Sequence, residues 1–513
     1  MNIQTRELAA LAAILAVALV ARIVGLNASL WYDEVLTLTR FVRLPWGDLV
    51  RDFSSLNNHM FFSLQAKAAV ERLGESAWAL RLPALVFGMA SLPLIWWMAR
   101  QAAGRGAALL TTLMLAISYH HVWFSQNARG YTGLLFWTTA ATLLLANGLK
   151  RPGWSVFSAF GICLAAGMYT HLSAALFFVA NGLVFAALLA MTMFAPRGHL
   201  AAAYPGVRDI RSFYGFGLGT VLTLALHAPL VTQVLTAVGK MSAGSGESTM
   251  AEWNNPLRTL SEVVASFDGL GPLAPMALFG GLVLVAVGAV MLARRAPLLA
   301  SVYLTQIPVS LALLVALHFR IWPRYFFVDI GFVFLCAAMG GLAISEFVTR
   351  MLRSAEALRR LALVPTAGVV AVIAGASLVL LAPNYAHPKQ DFTGAIALVE
   401  ARRAPGDVAA STGLAADPIK TFFRPDWPVV ETRADMERLI AAGRTVWLVT
   451  AFEAHTRKTR PDVMQLVATR FDDVAELPGT MGGGYMHVYR SRSLADVDAA
   501  QGTNLARAAD PSK

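Results

Sequence analysis

The sequence predicts a polytopic α-helical membrane protein that carries a small C-terminal α/β domain. Three observations lead there. Hydrophobic residues make up 57% of the 513-residue chain and charged residues 14%, and the mean hydropathy is +0.57, which no soluble chain of this length sustains. The apolar stretches are continuous runs near 20 residues rather than alternating segments of about ten, which excludes a membrane β-barrel. Beyond Pro383 the composition changes: residues 384–513 hold sixteen basic and sixteen acidic residues, so the net charge of +11 belongs to the part before them.

Eleven spans are readable, at 8–26, 79–99, 106–124, 131–149, 155–170, 172–194, 214–235, 272–293, 299–318, 324–346 and 362–382. The first is read as a retained helix, because the run is long and lacks a small-x-small cleavage site. The fifth and sixth nearly touch around His171. Cys163 and Cys336 both lie inside apolar runs and read as small core residues, with no case for a disulfide or a metal site. Asn27-Ala-Ser is formally a glycosylation sequon, a pattern too common to carry weight.

Orientation follows from the loops. Arg100, Arg105, Lys150, Arg151, Arg197, Arg208, Arg211, Arg294, Arg295, Arg350, Arg353, Arg359 and Arg360 fall on one side of this map. The positive-inside rule makes that side cytoplasmic. The N-terminus is then cytoplasmic and the C-terminal region periplasmic or otherwise extracytoplasmic, in an inner (plasma) membrane. The basic balance reports topology and lipid contact and gives no case for nucleic acid.

Residues 1–383 are thus expected to form the membrane domain, with long external loops at 27–78 and 236–271, the latter lid-like. Residues 384–495 are expected to form a soluble α/β domain. There, strand-like runs (407–411, 428–432, 445–451, 485–489) alternate with helix-like ones (417–423, 434–442, 461–471). Gly482-Gly-Gly is a loop without phosphate-loop spacing, and 496–513 reads as a disordered tail.

The outward loops carry the candidate chemistry. Asp33 and Glu34, in Ser29-Leu-Trp-Tyr-Asp-Glu34, fall where the first helix emerges into water. Carboxylates at a bilayer edge mark a site or simply the wet end of a helix. From His59 a surface helix is expected, with Phe62, Ala66, Ala69, Val70 and Leu73 as its apolar stripe and Gln65, Lys67, Glu71 and Arg72 on other faces. Arg129, in Ser125-Gln-Asn-Ala-Arg-Gly-Tyr131, either snorkels or holds an anion. His171 is either structural or part of the same outer site. Arg320 and Arg324 flank Pro323. Asp329 lies five residues beyond Arg324, about 500° of helical turn, so the two cannot pair well on one helix. Asp329 must find a partner elsewhere or stay protonated. An anionic headgroup entering from the membrane would meet arginines and a histidine, and a water-borne acceptor would meet Asp33.

SLWYDE at 29–34, His59, SQNARGY at 125–131 and PRY at 323–325 resemble the GT-C glycosyltransferases, glycosyltransferase family 39 in particular. That branch holds protein O-mannosyltransferases and aminoarabinose transferases. Asp391-Phe-x-Gly-Ala and Pro405-Gly-Asp407 resemble the start of the soluble domain that bacterial members append. The resemblance implies an inverting transfer of a sugar from a polyprenyl-phosphate donor to a hydroxyl of an envelope glycan, lipid or protein. In a bacterium the carrier would be undecaprenyl phosphate. Asp33 matches the catalytic base and Glu34 its companion. His59, Arg129, Arg324 and, less directly, Lys67 match donor-phosphate contacts. Tyr131, Tyr325, His171 and Asn127 fall to substrate binding. The family's prolines after the basic residue are missing at Met60-Phe61, and its acidic residue is Asn127 here. The sequence demands no cofactor, no nucleotide-sugar site and no metal cage, and it leaves a divalent cation open. Two other readings fit intramembrane charge: a transporter or flippase for a lipid-linked glycan, and a non-catalytic subunit of a polysaccharide assembly system.

Overall fold

The structure, a computed structural model, describes residues 3–243, 255–353, 364–442 and 444–492. The Gly/Ser-rich part of the expected lid, Arg359 and Arg360, and the 496–513 tail lie outside the described residues. Contacts divide the chain into two units. One joins Met1–Leu26 to Phe41–Ala382, and the other joins Asn27–Arg40 to Pro383–Lys513. The segment that carries the acidic pair, expected in the membrane domain, therefore clusters with the C-terminal domain.

The first unit is helical: α1 (Ile3–Ile23), α2 (Met60–Leu73), α3 (Ala77–Ala103), α4 (Arg105–Ala116), α5 (Tyr119–Ser125), α6 (Tyr131–Lys150), α7 (Trp154–Thr170), α8 (Ala174–Phe194), α9 (Ile210–His227), α10 (Ala274–Arg295), α11 (Pro297–Ala316), α12 (Ile330–Arg353) and α13 (Val364–Leu381). Each of the eleven expected runs is helical. Among the described residues seven helices are long and apolar enough to cross a bilayer, and the pair α4–α5, bent by 60°, makes an eighth. Apolar side chains such as Val221, Leu224, Phe279 and Phe347 are exposed, while Arg22, Arg81, Thr138 and Gln306 are buried. That inversion suits a bundle solvated by lipid.

Small residues let helices touch backbone to backbone, the usual device where no hydrophobic force drives helices together. A Cβ on Gly161 of α7 would lie 2.8 Å from the Gly215 carbonyl of α9. Side chains at Gly288 of α10 and Gly340 of α12 would run into the backbones of Cys336 and Leu284. Cys163 and Cys336 are buried and free, as small core residues should be.

The break between α4 and α5 is held from α1. Fully buried Arg22 donates to the Leu115 carbonyl at 3.2 Å, to Ala116 at 2.9 Å and to its own helix at Ala18 at 2.8 Å. It also meets Ser125 Oγ at 3.2 Å and His121 Nδ1 at 2.6 Å. The last carbonyls of a helix lack partners within it, and a cation there also complements the helix dipole. Gln126, just past α5, returns the favour by donating Nε2–H to the carbonyls of Ala21 (3.3 Å) and Arg22 (3.0 Å) at the end of α1. Arg81, also fully buried, donates to the Leu26 carbonyl at 2.7 Å.

In the second unit a five-stranded sheet forms among the described residues, in the order β2-β1-β3-β5-β4. The strands are β1 (Val408–Thr412), β2 (Val429–Val430), β3 (Val446–Ala451), β4 (Phe471–Leu477) and β5 (Met486–Ser491). β2, β1 and β3 run parallel, β5 runs antiparallel to β3, and β4 runs antiparallel to β5. The central strands alternate between two cores. Ala409, Trp447 and Val449 pack with α14 (Phe392–Arg402), and Ala410, Val446 and Leu448 pack with α15 (Arg433–Ala441) and α17 (Pro461–Arg470). Between β3 and α17 lies α16 (Glu453–Thr459). β4 was not foreseen, because Asp472, Asp473 and Glu476 give it the charged face of an edge strand rather than an apolar alternation. Asp391-Phe-x-Gly-Ala proves to be a helix cap: Asp391 accepts from the Gly394 amide at 2.8 Å.

Replacing Arg22 by Met keeps most of the volume but strands two carbonyls at the α4 end. With hydrogen bonds to a charged group worth about 1.5–3 kcal/mol each, we expect a loss of at least ~3 kcal/mol. A thermal unfolding scan in nanodiscs, with exposed Arg6→Met as control, measures it.

Candidate active site

In the first unit, residues from four separate stretches of sequence converge. His59 directly precedes α2 and is 3% exposed. Its Nδ1 accepts the Gly130 amide at 2.8 Å. A neutral imidazole whose Nδ1 accepts must carry its proton on Nε2, and this Nε2–H is buried without a hydrogen-bond partner among the described residues. The His171 ring stands 4.4 Å from that of His59, and Tyr131 packs 5.2 Å from each. Tyr325 lies 6.3 Å from His171. His171 uses Nδ1 toward the Ser173 amide (3.1 Å) and hydroxyl (2.8 Å), which leaves its Nε2 as the donor as well.

Arginines surround these rings. Arg129 donates to the Asn57 carbonyl at 3.1 Å and to its side-chain oxygen, so the turn after α5 is pinned to the chain before His59. Arg324 lies over the Trp322 ring at 4.6 Å. Burial, then the charges of Arg129, His171 and Arg324, hold His59 well below the usual imidazole range. Burial and the same two arginines push His171 down to about 3. At neutral pH the cluster is therefore two cations with two uncharged N–H donors, an arrangement made for an anion.

The turn depends on Gly130. A Cβ there would lie 2.9 Å from Thr170 Cγ2, 3.0 Å from His59 Nδ1 and 3.2 Å from the Thr170 carbonyl. Asn127 is buried in the same turn. Lys67 needs correction: it sits on the buried face of α2 with Phe62 and Ala66 rather than on another face. Its ammonium pairs with Glu71 at 2.7 Å, donates to the Val42 carbonyl at 3.3 Å and lies 5.3 Å over Trp46. Those partners occupy it structurally. Asp329 is 2% exposed, and neither carboxyl oxygen has a hydrogen-bond partner among the described residues.

The acidic pair belongs to the second unit, on the short helix Tyr32–Thr37. Glu34 is fully buried, and its carboxylate accepts the Trp31 amide at 3.3 Å, capping that helix. Asp33, one residue earlier, is partly exposed. The pair thus separates into a structural carboxylate and an accessible one. No group of three or more His, Cys, Asp or Glu that could hold a metal ion occurs among the described residues.

Residues that the sequence reading did not single out, Arg22, Arg81 and Gln126, prove to order the ground beneath the site. Their signal was present: a charged or amide side chain at the end of an apolar run has either lipid headgroups or a helix terminus to meet.

The fold has counterparts. Residues 61–205 match the family model for dolichyl-phosphate-mannose-protein mannosyltransferase. ArnT from Cupriavidus metallidurans, solved bound to undecaprenyl phosphate, is similar over 95% of this chain and 98% of its own, with a TM-score of 0.50 at 14% identity. The oligosaccharyltransferase from Archaeoglobus fulgidus in the apo form is similar over 91% of this chain and 72% of its own, with a TM-score of 0.51 at 12% identity. A search of the curated proteins gave no match. The fold is shared with these two solved structures.

Two predictions test this cluster. Unfolded imidazoles titrate near ~6.5 and the folded ones lower, so below that pH the unfolded state binds more protons and stability falls as pH falls. Stability should fall below about pH 6.5, by up to ~1.4 kcal/mol per pH unit and histidine, read as a lower thermal midpoint at pH 5 than at pH 7, and a His59→Gln/His171→Gln chain should show a flatter profile. Gly130→Ala should displace the His59 ring and weaken binding of polyprenyl phosphate about tenfold, ~1.4 kcal/mol, measured by titration in nanodiscs.

Proposed function

We propose, for a chain with the GT-C fold, that it is an inverting glycosyltransferase moving a sugar from a polyprenyl-phosphate donor to an acceptor hydroxyl on the outer face of the membrane. The observation that carries this reading is the cluster of Arg129, Arg324, His59 and His171, with a buried His59 Nε2–H that has no hydrogen-bond partner among the described residues. The undecaprenyl phosphate bound to ArnT supports a lipid phosphate as its anion. By connectivity the acidic pair follows the first span, Arg129 and His171 follow the third and fifth, and Arg324 opens the tenth. The positive-inside rule assigns all of them the extracytoplasmic side, with the N-terminus inside.

The chemistry follows in one displacement. The acceptor oxygen attacks the anomeric carbon as Asp33 removes its proton. The bond from that carbon to the phosphate oxygen breaks on the opposite face, inverting the centre and releasing polyprenyl phosphate. A sugar phosphodiester carries one negative charge and the departing monoester up to two. Fixed cations and N–H donors around the phosphate therefore stabilise the transition state more than the bound donor. Keeping the imidazoles neutral preserves them as donors without adding charge repulsion to the apo site. Tyr131 and Tyr325, against the imidazoles, would border the sugar.

Purified chain in nanodiscs, supplied with a panel of polyprenyl-phosphate sugars and envelope acceptors, tests this by release of polyprenyl phosphate. Asp33→Asn should lower turnover by about 10²–10⁴-fold with donor binding intact, and Arg129→Gln should weaken donor binding. Equal release by wild type and Asp33→Asn would sink the base assignment. Movement of labelled lipid-linked glycan across the bilayer without transfer would favour a transporter.

A further inference from the structure

The helix that bears Asp33 is too short to stand alone. The α-helix Tyr32–Thr37 runs straight into the π-helical turn Leu38–Val42, eleven residues in all, which is still shorter than the isolated helices that persist in water. Whatever docks this helix decides where Asp33 points, and within the second unit three contacts do so.

The first is Gln390, which is fully buried. Its Oε1 accepts the Tyr32 amide at 3.0 Å, and its Nε2 donates to the Gly484 carbonyl at 3.1 Å. Tyr32 opens the helix, so its N–H has no intrahelical acceptor; Gln390 supplies one from a position 358 residues away in sequence. The glycine-rich loop has a purpose here. Thr480 and Met481 donate their amides to the carbonyls of Pro388 (3.0 Å) and Lys389 (3.1 Å), wrapping the chain around Gln390. The second contact is the Phe452 ring, edge-on to Tyr32 at 6.4 Å. Phe452 ends β3 with φ 51° and ψ 57°, a left-handed conformation that a bulky residue keeps only where its surroundings impose it. The third is Arg40, in the π-helical turn that continues the helix, paired with Asp417 at 2.6 Å. Asp417 also lines a cleft of about 270 Å³ with Lys420, Glu431 and Arg460. Exposed as it is, the pair adds direction rather than much affinity.

We infer that Gln390, Phe452 and Asp417 are positioning residues for Asp33, so that the second unit itself sets the aim of the base and its C-terminal domain is not only an appended acceptor module. The inference rests on Asp33 being the base. If Gln390 lets go of Tyr32, the helix N-terminus loses its acceptor and its register against the domain, and Asp33 swings with it. Displacement of a catalytic group by about an ångström costs up to ~10²-fold in rate.

The test uses the full chain in nanodiscs with the same donor panel. Gln390→Met keeps the volume and removes both hydrogen bonds. Phe452→Asn removes the ring while suiting the left-handed backbone, which guards against a variant that simply unfolds. Both should lower kcat by about 10–10²-fold with the donor KM unchanged. Both should also speed amide exchange in peptides covering 30–37, with protection of β1 and β3 retained. Unchanged kcat in Gln390→Met overturns the inference, whatever the exchange shows. So does a fall in kcat without faster exchange of the helix. The base assignment is read separately, from Asp33→Asn: full activity there removes it and this inference together, whereas a dead Asp33→Asn beside an active Gln390→Met removes the positioning role alone.

Discussion

Two helix ends in a membrane cannot leave their carbonyls to lipid, and this bundle solves the problem by exchange. Arg22 on α1 satisfies the end of α4, and Gln126 beyond α5 satisfies the end of α1. Each helix thereby fixes the other's terminus through side chains buried away from solvent. The bend between α4 and α5 follows, because the freed carbonyls are held by a guanidinium rather than by the next turn. So does the turn at 126–130, which starts from the residue that caps α1. Arg129 and Gly130 then reach Asn57 and His59, and the cluster closes around them.

Electrostatics within that cluster show a division of labour. Arginine stays charged in any protein environment, whereas imidazole yields to burial and to neighbouring cations. Packing two of each together therefore gives a fixed charge from Arg129 and Arg324 and directional N–H groups from His59 and His171. Four charges in the same volume would repel one another without a ligand. Aromatic edges from Tyr131, Phe124 and Phe327 complete the wall, with Phe124 and Phe327 4.4 Å apart.

Much of this was legible. Helix positions followed from hydropathy, since a bilayer leaves few alternatives to a helix of about 20 apolar residues, although among the described residues only seven helices, or eight with the bent pair, are long and apolar enough to cross one. Arg129, His171 and Arg324 stood out as polar groups at span ends, His59 as the start of a surface helix, and Tyr131 and Tyr325 through the family resemblance; the structure brings them into one cluster. Lys67 misled because a heptad-style stripe treats every lysine as solvent-facing, while this one lies on the buried face against Glu71 and Trp46. Glu34 looked equivalent to Asp33 because adjacent residues carry no information about which one caps. The largest omission was the grouping of Asn27–Arg40 with the C-terminal domain. Periodicity and composition describe neighbours along the chain, and contacts between residues 358 and 377 apart leave no trace in either.

That grouping makes the C-terminal domain discontinuous in sequence, and synthesis runs in one direction. The helix Tyr32–Thr37 leaves the ribosome with the first span, but Gln390, Phe452 and Asp417 follow only after ten further apolar runs. Until then its first amide has no acceptor and its length cannot sustain it. Closing so long a loop is slow compared with forming local helices. The acidic segment is therefore the last part of the early chain to acquire its structure, and assembly of the helical bundle precedes assembly of the helix that carries Asp33 and Glu34.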